Sequence, residues 1–260
     1  MYRHVLVTAD AGLLTITMNR PERRNALSEA HMQELIAALR SAGDDPEVRA
    51  VVLAGNGAAF CSGHDFADMA ERDLDGMRRL LGVCTELMLT IQRLPQPVVA
   101  RVHAVATAAG CQLVATCDLA VAAEDATFAT PGGKGGWFCT TPMVAVQRAI
   151  GHKHALEMLF TGDPIDARTA LAWGLVNRVV PQSELVAATE ALARAASRGS
   201  LASKALGKRA YYDTIARDVE AAYHHAVELM AASSMTPDGK EMMRAFLEKR
   251  AAVYPRRRSS

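Results

Sequence analysis

The chain has 260 residues, of which 50% are hydrophobic and 22% are charged, so it can bury a large core. Its 29 basic and 28 acidic residues leave a formal charge of +1, which gives no basis for binding nucleic acid or a charged membrane surface. The first residues lack the apolar core of a signal peptide, and no apolar run reaches the roughly 18 residues of a membrane span. Composition therefore predicts a cytoplasmic protein that binds neither nucleic acid nor membrane.

The cysteines indicate neither disulfides nor a metal site. There are 5 of them, they form no Cys-x-x-Cys pair, and no His, Cys and Asp cluster has the spacing of a zinc site. We expect reduced thiols that mostly serve as packing residues, and no bound metal. The basic triplet Arg256 to Arg258 is expected to be a solvated end, with a phosphate contact as the alternative.

Hydrophobic periodicity predicts a chain that alternates between strands and helices before it becomes wholly helical. Strands are predicted over 4–8, 13–18, 51–54, 98–102 and 177–180, and helices after Ser28 and over 74–94, 111–117, 143–150, 155–160, 167–173, 185–197, 201–212, 218–233 and 237–252. A turn sequence at 10–12, an N-cap at Ser28 and a terminating Gly174 set three of these boundaries. The order predicts an α/β fold without an internal sequence repeat.

The most informative stretch runs from 98 to 142, because small residues separate a buried strand from the start of a helix. Ala108, Ala109 and Gly110 leave the N–H groups of the first helical turn unshielded. Such groups bind a ligand oxygen or a developing oxyanion, and the alternative is a small-residue packing contact. A second turn of this kind lies within 58–69 and holds His64, which is either a solvated loop residue or a functional one.

Five segments follow one another along nearly the whole chain: NRPERRNALS (19–28), FCSGHDFADM (60–69), AAGCQLVATCDLAVAAEDATFATP (108–131), LFTGDPIDARTALAWGLVNRVVP (159–181) and FLEKR (246–250). This ordered set resembles the crotonase superfamily of enoyl-CoA hydratases and isomerases. Segments 103–118 and 128–142 most resemble its mitochondrial subgroup called enoyl-CoA hydratase domain-containing protein 3. The resemblance implies a crotonase-like spiral of ββα units with the acyl-CoA site over 1–200, and a C-terminal helical trimerisation region over 201–260.

The resemblance also implies an acyl-CoA thioester whose carbonyl oxygen lies between two backbone N–H groups, which by position belong to His64 and Ala109. Coenzyme A is then part of the ligand, no tightly bound cofactor is implied, and the assembly is a homotrimer or a dimer of trimers. The family's CoA-binding positions correspond to Arg23, Arg24, Ala26, Leu27, Ser62, His64, Asp65, Phe66, Ala67, Ala109 and Gly110. The arginines can pair with CoA phosphates, or they can be solvated surface residues.

Two positions depart from the family hydratases, which use two glutamates to hold and activate water. Gln112 stands at the first position and Gly132 at the second. Glutamine has no proton-accepting carboxylate, and glycine has no side chain. General acid–base assistance is worth roughly a hundred- to ten-thousandfold per group, so we expect weak or absent hydration.

The remaining polar residues near these turns leave several functions open. Cys139 lies near the position where other family branches have an aspartate. Its thiol is either a nucleophile or base, or a buried structural residue. The side-chain pKa of His64 suits acid–base chemistry, but its backbone role does not place its ring in the pocket. We expect Asp65 and Asp68 to cap or support the helix after the turn, and Asp118 to anchor the strand that follows. The open functions are a crotonase-type enzyme, an acyl-CoA-binding protein without turnover, and a structural or regulatory subunit of a family oligomer.

Overall fold

The computed structural model of the chain describes residues 2–254, so the predicted solvated triplet Arg256 to Arg258 lies outside the described residues. The described strands are β1 (Val5–Asp10), β2 (Leu13–Met18), β3 (Ala50–Gly55), β4 (Ala59–Cys61), β5 (Val98–Val102), β6 (Val105–Thr107), β7 (Leu119–Ala123), β8 (Thr127–Ala129), β9 (Ile165–Asp166) and β10 (Arg178–Val180). The described α-helices are α1 (Glu29–Asp44), α2 (Leu74–Arg93), α3 (Ala109–Thr116), α4 (Thr140–Ala149), α5 (His152–Thr161), α6 (Ala167–Trp173), α7 (Leu185–Ala196), α8 (Leu201–Thr214), α9 (Val219–Ser234) and α10 (Pro237–Leu247).

The strands form two sheets. The larger has the order β1-β2-β3-β5-β7-β10, in which only the β1–β2 hairpin is antiparallel. The smaller has the order β4-β6-β8-β9, with β4, β6 and β8 parallel. Because β3–β4–α2 and β5–β6–α3 each send one strand to each sheet before a helix, the chain winds as a spiral of ββα units. The predicted crotonase-like α/β fold is confirmed.

The core explains why the central strands read as continuous apolar runs. Val51 and Leu53 of β3 face the cluster that packs against α1, α2 and α3. Ala50 and Val52 of the same strand face a second cluster that includes Leu185 of α7. A parallel strand that is covered on both faces has no polar side to show, which accounts for its lack of alternation.

Most predicted boundaries agree with the structure, with physical reasons for the exceptions. The Ser28 hydroxyl accepts the His31 N–H as predicted, and Gly174 ends α6 with φ 90°. The predicted helix over 237–252 ends at Leu247. Strands β4, β6 and β8 have three residues each and were not predicted, because such a short strand has no readable period.

The position of Asp118 also differs from the prediction. Rather than anchoring the strand that follows, its Oδ2 accepts the backbone N–H of Val98 at the start of β5 at 2.7 Å. It also accepts hydrogen bonds from Lys208 at 2.6 Å and Tyr212 at 2.9 Å, both on α8. Asp118 therefore joins the sheet to the C-terminal helices. No described helix is long and apolar enough to cross a membrane, and no three described metal-ligating side chains come together.

Candidate functional site

The candidate site lies where three neighbouring parallel strands of the smaller sheet end. Strands β4, β6 and β8 run in the same direction, so their carboxyl ends meet at one edge of the sheet. The segments that leave this edge are 62–64, 108–109 and 130–132. The sheet therefore brings together both predicted turns and the position of Gly132, although they are distant in sequence.

The backbone of the His64 turn is fixed by pairing with Leu27. The Leu27 N–H donates to the Gly63 carbonyl at 2.8 Å, and the Asp65 N–H donates to the Leu27 carbonyl at 3.1 Å. These bonds use the groups on either side of His64. The His64 N–H itself has no protein acceptor within residues 2–254.

The second turn precedes α3 and has an unusual backbone. Ala108 adopts φ 51° and ψ −118°, a region that favours glycine. Its N–H donates to the Ala129 carbonyl at 2.9 Å, and its carbonyl accepts the Gln112 N–H at 3.0 Å. Ala109 is the first residue of α3, so its N–H has no intrahelical acceptor.

Two glycines allow these turns to touch. A Cβ on Gly63 would lie 2.9 Å from the Ala108 Cβ and 3.4 Å from the Ala109 nitrogen. A Cβ on Gly110 would collide with the Cys61 carbonyl oxygen. The missing side chains therefore place the two backbones in direct contact. The small residues therefore make a packing contact, which was one of the two alternatives for them, and this contact joins the two turns.

A cavity of about 700 Å³ opens at these turns and is called the site cavity below. Its lining includes the predicted residues Arg23, Arg24, Ala26, Ser62, His64, Asp65, Phe66, Ala109, Gly132 and Cys139. It also includes Leu81 of α2 and the aromatic pair Trp137 and Phe138, which the sequence analysis did not select. The glycine-rich run of 132–136 is the sequence feature that could have indicated a loop next to the site, and thereby Trp137 and Phe138.

Four predicted residues do not line the site cavity. Leu27 and Gly110 act through their backbones, as described above, and Ala67 donates its N–H to Asp65. Gln112 is buried, and its Oε1 lies 3.9 Å from the Cys84 thiol. Gln112 instead borders a separate cavity of about 800 Å³ between α2, α3, α4 and α8.

Gly132 has no room for a side chain. A Cβ there would collide with the Trp137 carbonyl oxygen and lie 2.9 Å from the Cys139 sulfur. The loop of 132–139 therefore fills the space from which any side chain at this position would start. A larger residue at this position would require the backbone of the loop to move.

The position of the His64 ring was left open by the sequence, because a backbone role does not by itself place the ring in the pocket. The ring lines the site cavity, 6.5 Å from the centre of the Trp137 ring system and inclined by 45° to it. Burial lowers the pKa of His64 to about 4, so the imidazole is neutral at pH 7. Backbone pairing with Leu27 fixes the turn, and the half-buried His64 has its Nε2 enclosed by protein.

Cys139 is a buried thiol at the cavity wall, and burial raises its pKa, so it is protonated. All five cysteines are free and buried, as predicted. Asp65 supports the turn as expected, because it accepts the Ala67 N–H and pairs with Arg20 at 3.0 Å. Asp68 instead accepts the Glu29 N–H at 2.8 Å.

Asn25 is a structural residue of this site that the sequence analysis missed. It is buried, and its side-chain amide donates to the carbonyls of Asn56 and Ala59, each at 2.8 Å. These bonds fasten the loop of 20–28 to the β3–β4 connection. Arg23 and Arg24 on this loop are exposed and line the site cavity, so Asn25 holds them at its rim.

Comparisons with known proteins agree with this geometry. The family model described as enoyl-CoA hydratase/isomerase matches residues 8–257. Enoyl-CoA hydratase domain-containing protein 3 of Xenopus laevis is 42% identical over 94% of this chain and 83% of its own length. An enoyl-CoA hydratase structure from Mycobacterium smegmatis superposes with a TM-score of 0.93 at 48% identity, covering 97% of this chain and 99% of the other. The structure of human enoyl-CoA hydratase domain-containing protein 3 has the same TM-score at 39% identity, covering 97% and 100%.

The relatives correct the predicted cytoplasmic location, because the Xenopus, mouse and human proteins of this subgroup are named mitochondrial. Balanced charge and free thiols are compatible with any reducing compartment. Composition therefore cannot distinguish a mitochondrial from a cytoplasmic location. The resemblance to the crotonase superfamily and to this subgroup is confirmed. With a family model that spans nearly the whole sequence and two structures that superpose over 97% of it, the chain belongs to the enoyl-CoA hydratase/isomerase family.

Proposed function

We propose that the chain binds an acyl-CoA thioester in the site cavity, with the carbonyl oxygen between the backbone N–H groups of His64 and Ala109. The observation that carries this proposal is that neither N–H has a protein acceptor within residues 2–254, while both residues line one cavity. Two preorganised donors stabilise an enolate or a tetrahedral oxyanion without reorganisation. One such donor is worth about 3 kcal/mol in barrier height.

The charge at the rim supports coenzyme A as the other half of the ligand. Arg23 and Arg24 are exposed there, and guanidinium groups bind phosphate oxygens through paired hydrogen bonds. Ala26, Ser62, Asp65 and Phe66 continue the same wall. Leu27, Ala67 and Gly110 would contribute by fixing the backbone of the turns.

We further propose that ordinary hydration is weak or absent. Gln112 offers an amide instead of a carboxylate and faces Cys84, and Gly132 has no space for a side chain. A reaction that relies on the oxyanion hole alone, such as thioester hydrolysis or decarboxylation, fits this chemistry better. A non-catalytic acyl-CoA-binding protein or regulatory subunit is the second candidate, favoured by the protonated thiol of Cys139 and the weakly basic ring of His64.

Calorimetric titration with butyryl-CoA, followed by a crotonyl-CoA hydration assay at high enzyme concentration, tests the proposal. We expect binding together with hydration at least a thousandfold below that of an ordinary hydratase, since two acid–base groups are absent. Turnover close to that of an ordinary hydratase would contradict the argument from Gln112 and Gly132. A folded chain that binds no CoA ester would contradict the site itself.

A further inference from the structure

The imidazole ring of His64 has no role in the function proposed above. Its Nε2 is enclosed by protein and has no hydrogen-bond partner within the described part of the chain. Buried polar side-chain atoms are nearly always paired, so this enclosed nitrogen, on a residue that lines the cavity, points to a bond that forms with the ligand after the ring rotates.

The ring belongs to the residue whose N–H is assigned to the thioester oxygen. The His64 side chain starts from the Cα next to the nitrogen that is assigned to the carbonyl oxygen of the ester. The ring also lies against Trp137, at 6.5 Å, on the wall of the same cavity. It therefore lies close to the assigned position of the thioester carbonyl, and we assign the acyl side of the ester to it.

The charge state of the ring restricts what it can recognise. Desolvation keeps the imidazole neutral at pH 7, so it has one N–H donor and one acceptor nitrogen. Such a ring can donate to a carbonyl oxygen or exchange a hydrogen bond with a hydroxyl, and it adds no charge of its own. Leu81, Trp137, Phe138 and Pro142 form an apolar part of the cavity wall, and further neutral hydrogen-bonding groups of this wall are the hydroxyls of Ser62, Thr140 and Thr141.

We propose that the His64 ring determines specificity by hydrogen bonding to a hydroxyl or oxo oxygen near the thioester end of the acyl chain. The chain then prefers a hydroxyacyl- or oxoacyl-CoA to an acyl-CoA that lacks this oxygen. The inference rests on the proposed function, because it requires the thioester to lie between His64 and Ala109.

A matched pair of ligands tests it. The dissociation constants of butyryl-CoA and 3-hydroxybutyryl-CoA are measured by calorimetry with the full chain, and acetoacetyl-CoA supplies the oxo form. For the wild type we expect the oxygenated esters to bind about tenfold more tightly, the value of one hydrogen bond. His64→Phe keeps a ring and the backbone N–H but removes both nitrogens, so the ratio of the two constants should fall to about one.

His64→Gln is the companion variant, because its amide restores a donor and an acceptor and should recover part of the preference. Thr140→Val and Thr141→Val remove two further hydroxyls that line the cavity, and a fall of the ratio in these variants but not in His64→Phe would overturn this inference. Equal binding of the esters by the wild type would overturn this inference and leave the proposed function intact. A preference that persists in His64→Phe would also overturn it, whereas a wild type that binds none of the esters would overturn the proposed function itself.

Discussion

At the scale of single residues, Ala108 has the least favourable backbone of the site and stands directly before Ala109. The region near φ 51° and ψ −118° is open to glycine but costs an L-residue about 1–3 kcal/mol. The bonds of Ala108 to Ala129 and Gln112 hold it there. Strain is thus stored beside the N–H to which we assign the thioester oxygen.

Replacing Ala108 by glycine should therefore stabilise the protein. Relief of the strain exceeds the extra chain entropy of glycine, which is about 0.5–1 kcal/mol, so we expect a net gain of about 1 kcal/mol in the free energy of unfolding. Urea denaturation measures it. Ala106→Gly, in the ordinary backbone of β6, is the control and should destabilise; equal losses in both variants would show that Ala108 is not strained.

Gly132 differs from Ala108, because a larger residue there is excluded by its neighbours rather than by its backbone angles. The sequence shows that no carboxylate stands at this position, but only the structure shows that the Trp137 carbonyl oxygen occupies the space that a Cβ would need. Introducing a glutamate here would force the loop of 132–139 to move. The two positions are therefore not equivalent, since Gln112 has a side chain that faces Cys84 and Gly132 has no room for one.

At the scale of elements, helix α8 is fastened to the core by one buried ion pair. The Lys208 ammonium donates to Asp118 at 2.6 Å and to the carbonyls of Ile91 and Gln96 at 2.8 and 3.0 Å. The two charged side chains are 11% and 16% exposed, so solvent screens the pair only weakly. Because Asp118 also holds the first residue of β5, the helix and the sheet share one anchor.

Lys208→Met should lower the free energy of unfolding by about 3 kcal/mol, because it leaves the Asp118 carboxylate without its cation. Lys204→Met lies on the same helix, without an ion pair among the described residues, and should change stability by less than about 0.5 kcal/mol. Chemical denaturation compares them. Equal effects of the two variants would contradict the anchoring role, whereas partial recovery in Lys208→Met combined with Asp118→Asn would support it.

At the scale of the whole molecule, the C-terminal helices leave an apolar face uncovered. Val219, Tyr223, Val227 and Met230 recur at helical spacing along α9 and are 59–77% exposed. Large apolar side chains of α10, among them Phe246, are exposed as well. We propose that these faces, within the region 201–260, hold the chain in a homotrimer or a dimer of trimers.

Light scattering on the purified chain should then give the mass of three or six chains. Val227→Glu combined with Met230→Glu places two charges in the apolar face and should shift the mass toward one chain, because burying unpaired charges is costly. Ala187→Glu, exposed on α7, is the control and should leave the mass unchanged. A single-chain mass for the wild type would refute the proposed assembly.

Much of the fold could be predicted from local patterns. Long elements such as α1 and α2 have a clear apolar period, and caps such as Ser28 and Gly174 act on their own neighbours. The ordered segments are specific enough to identify the family from the sequence alone. These features depend on interactions between residues close in sequence, or on composition, so the sequence determines them by itself.

Only the tertiary structure decided how the site is put together. The contact of Gly63 with Ala108, the placement of the His64 ring in the cavity, the turning of Gln112 toward Cys84 and the filled space at Gly132 all depend on which distant segments meet. Strands β4, β6 and β8 set those meetings through backbone hydrogen bonds. Such bonds do not depend on side-chain type, so they leave no pattern in a three-residue strand.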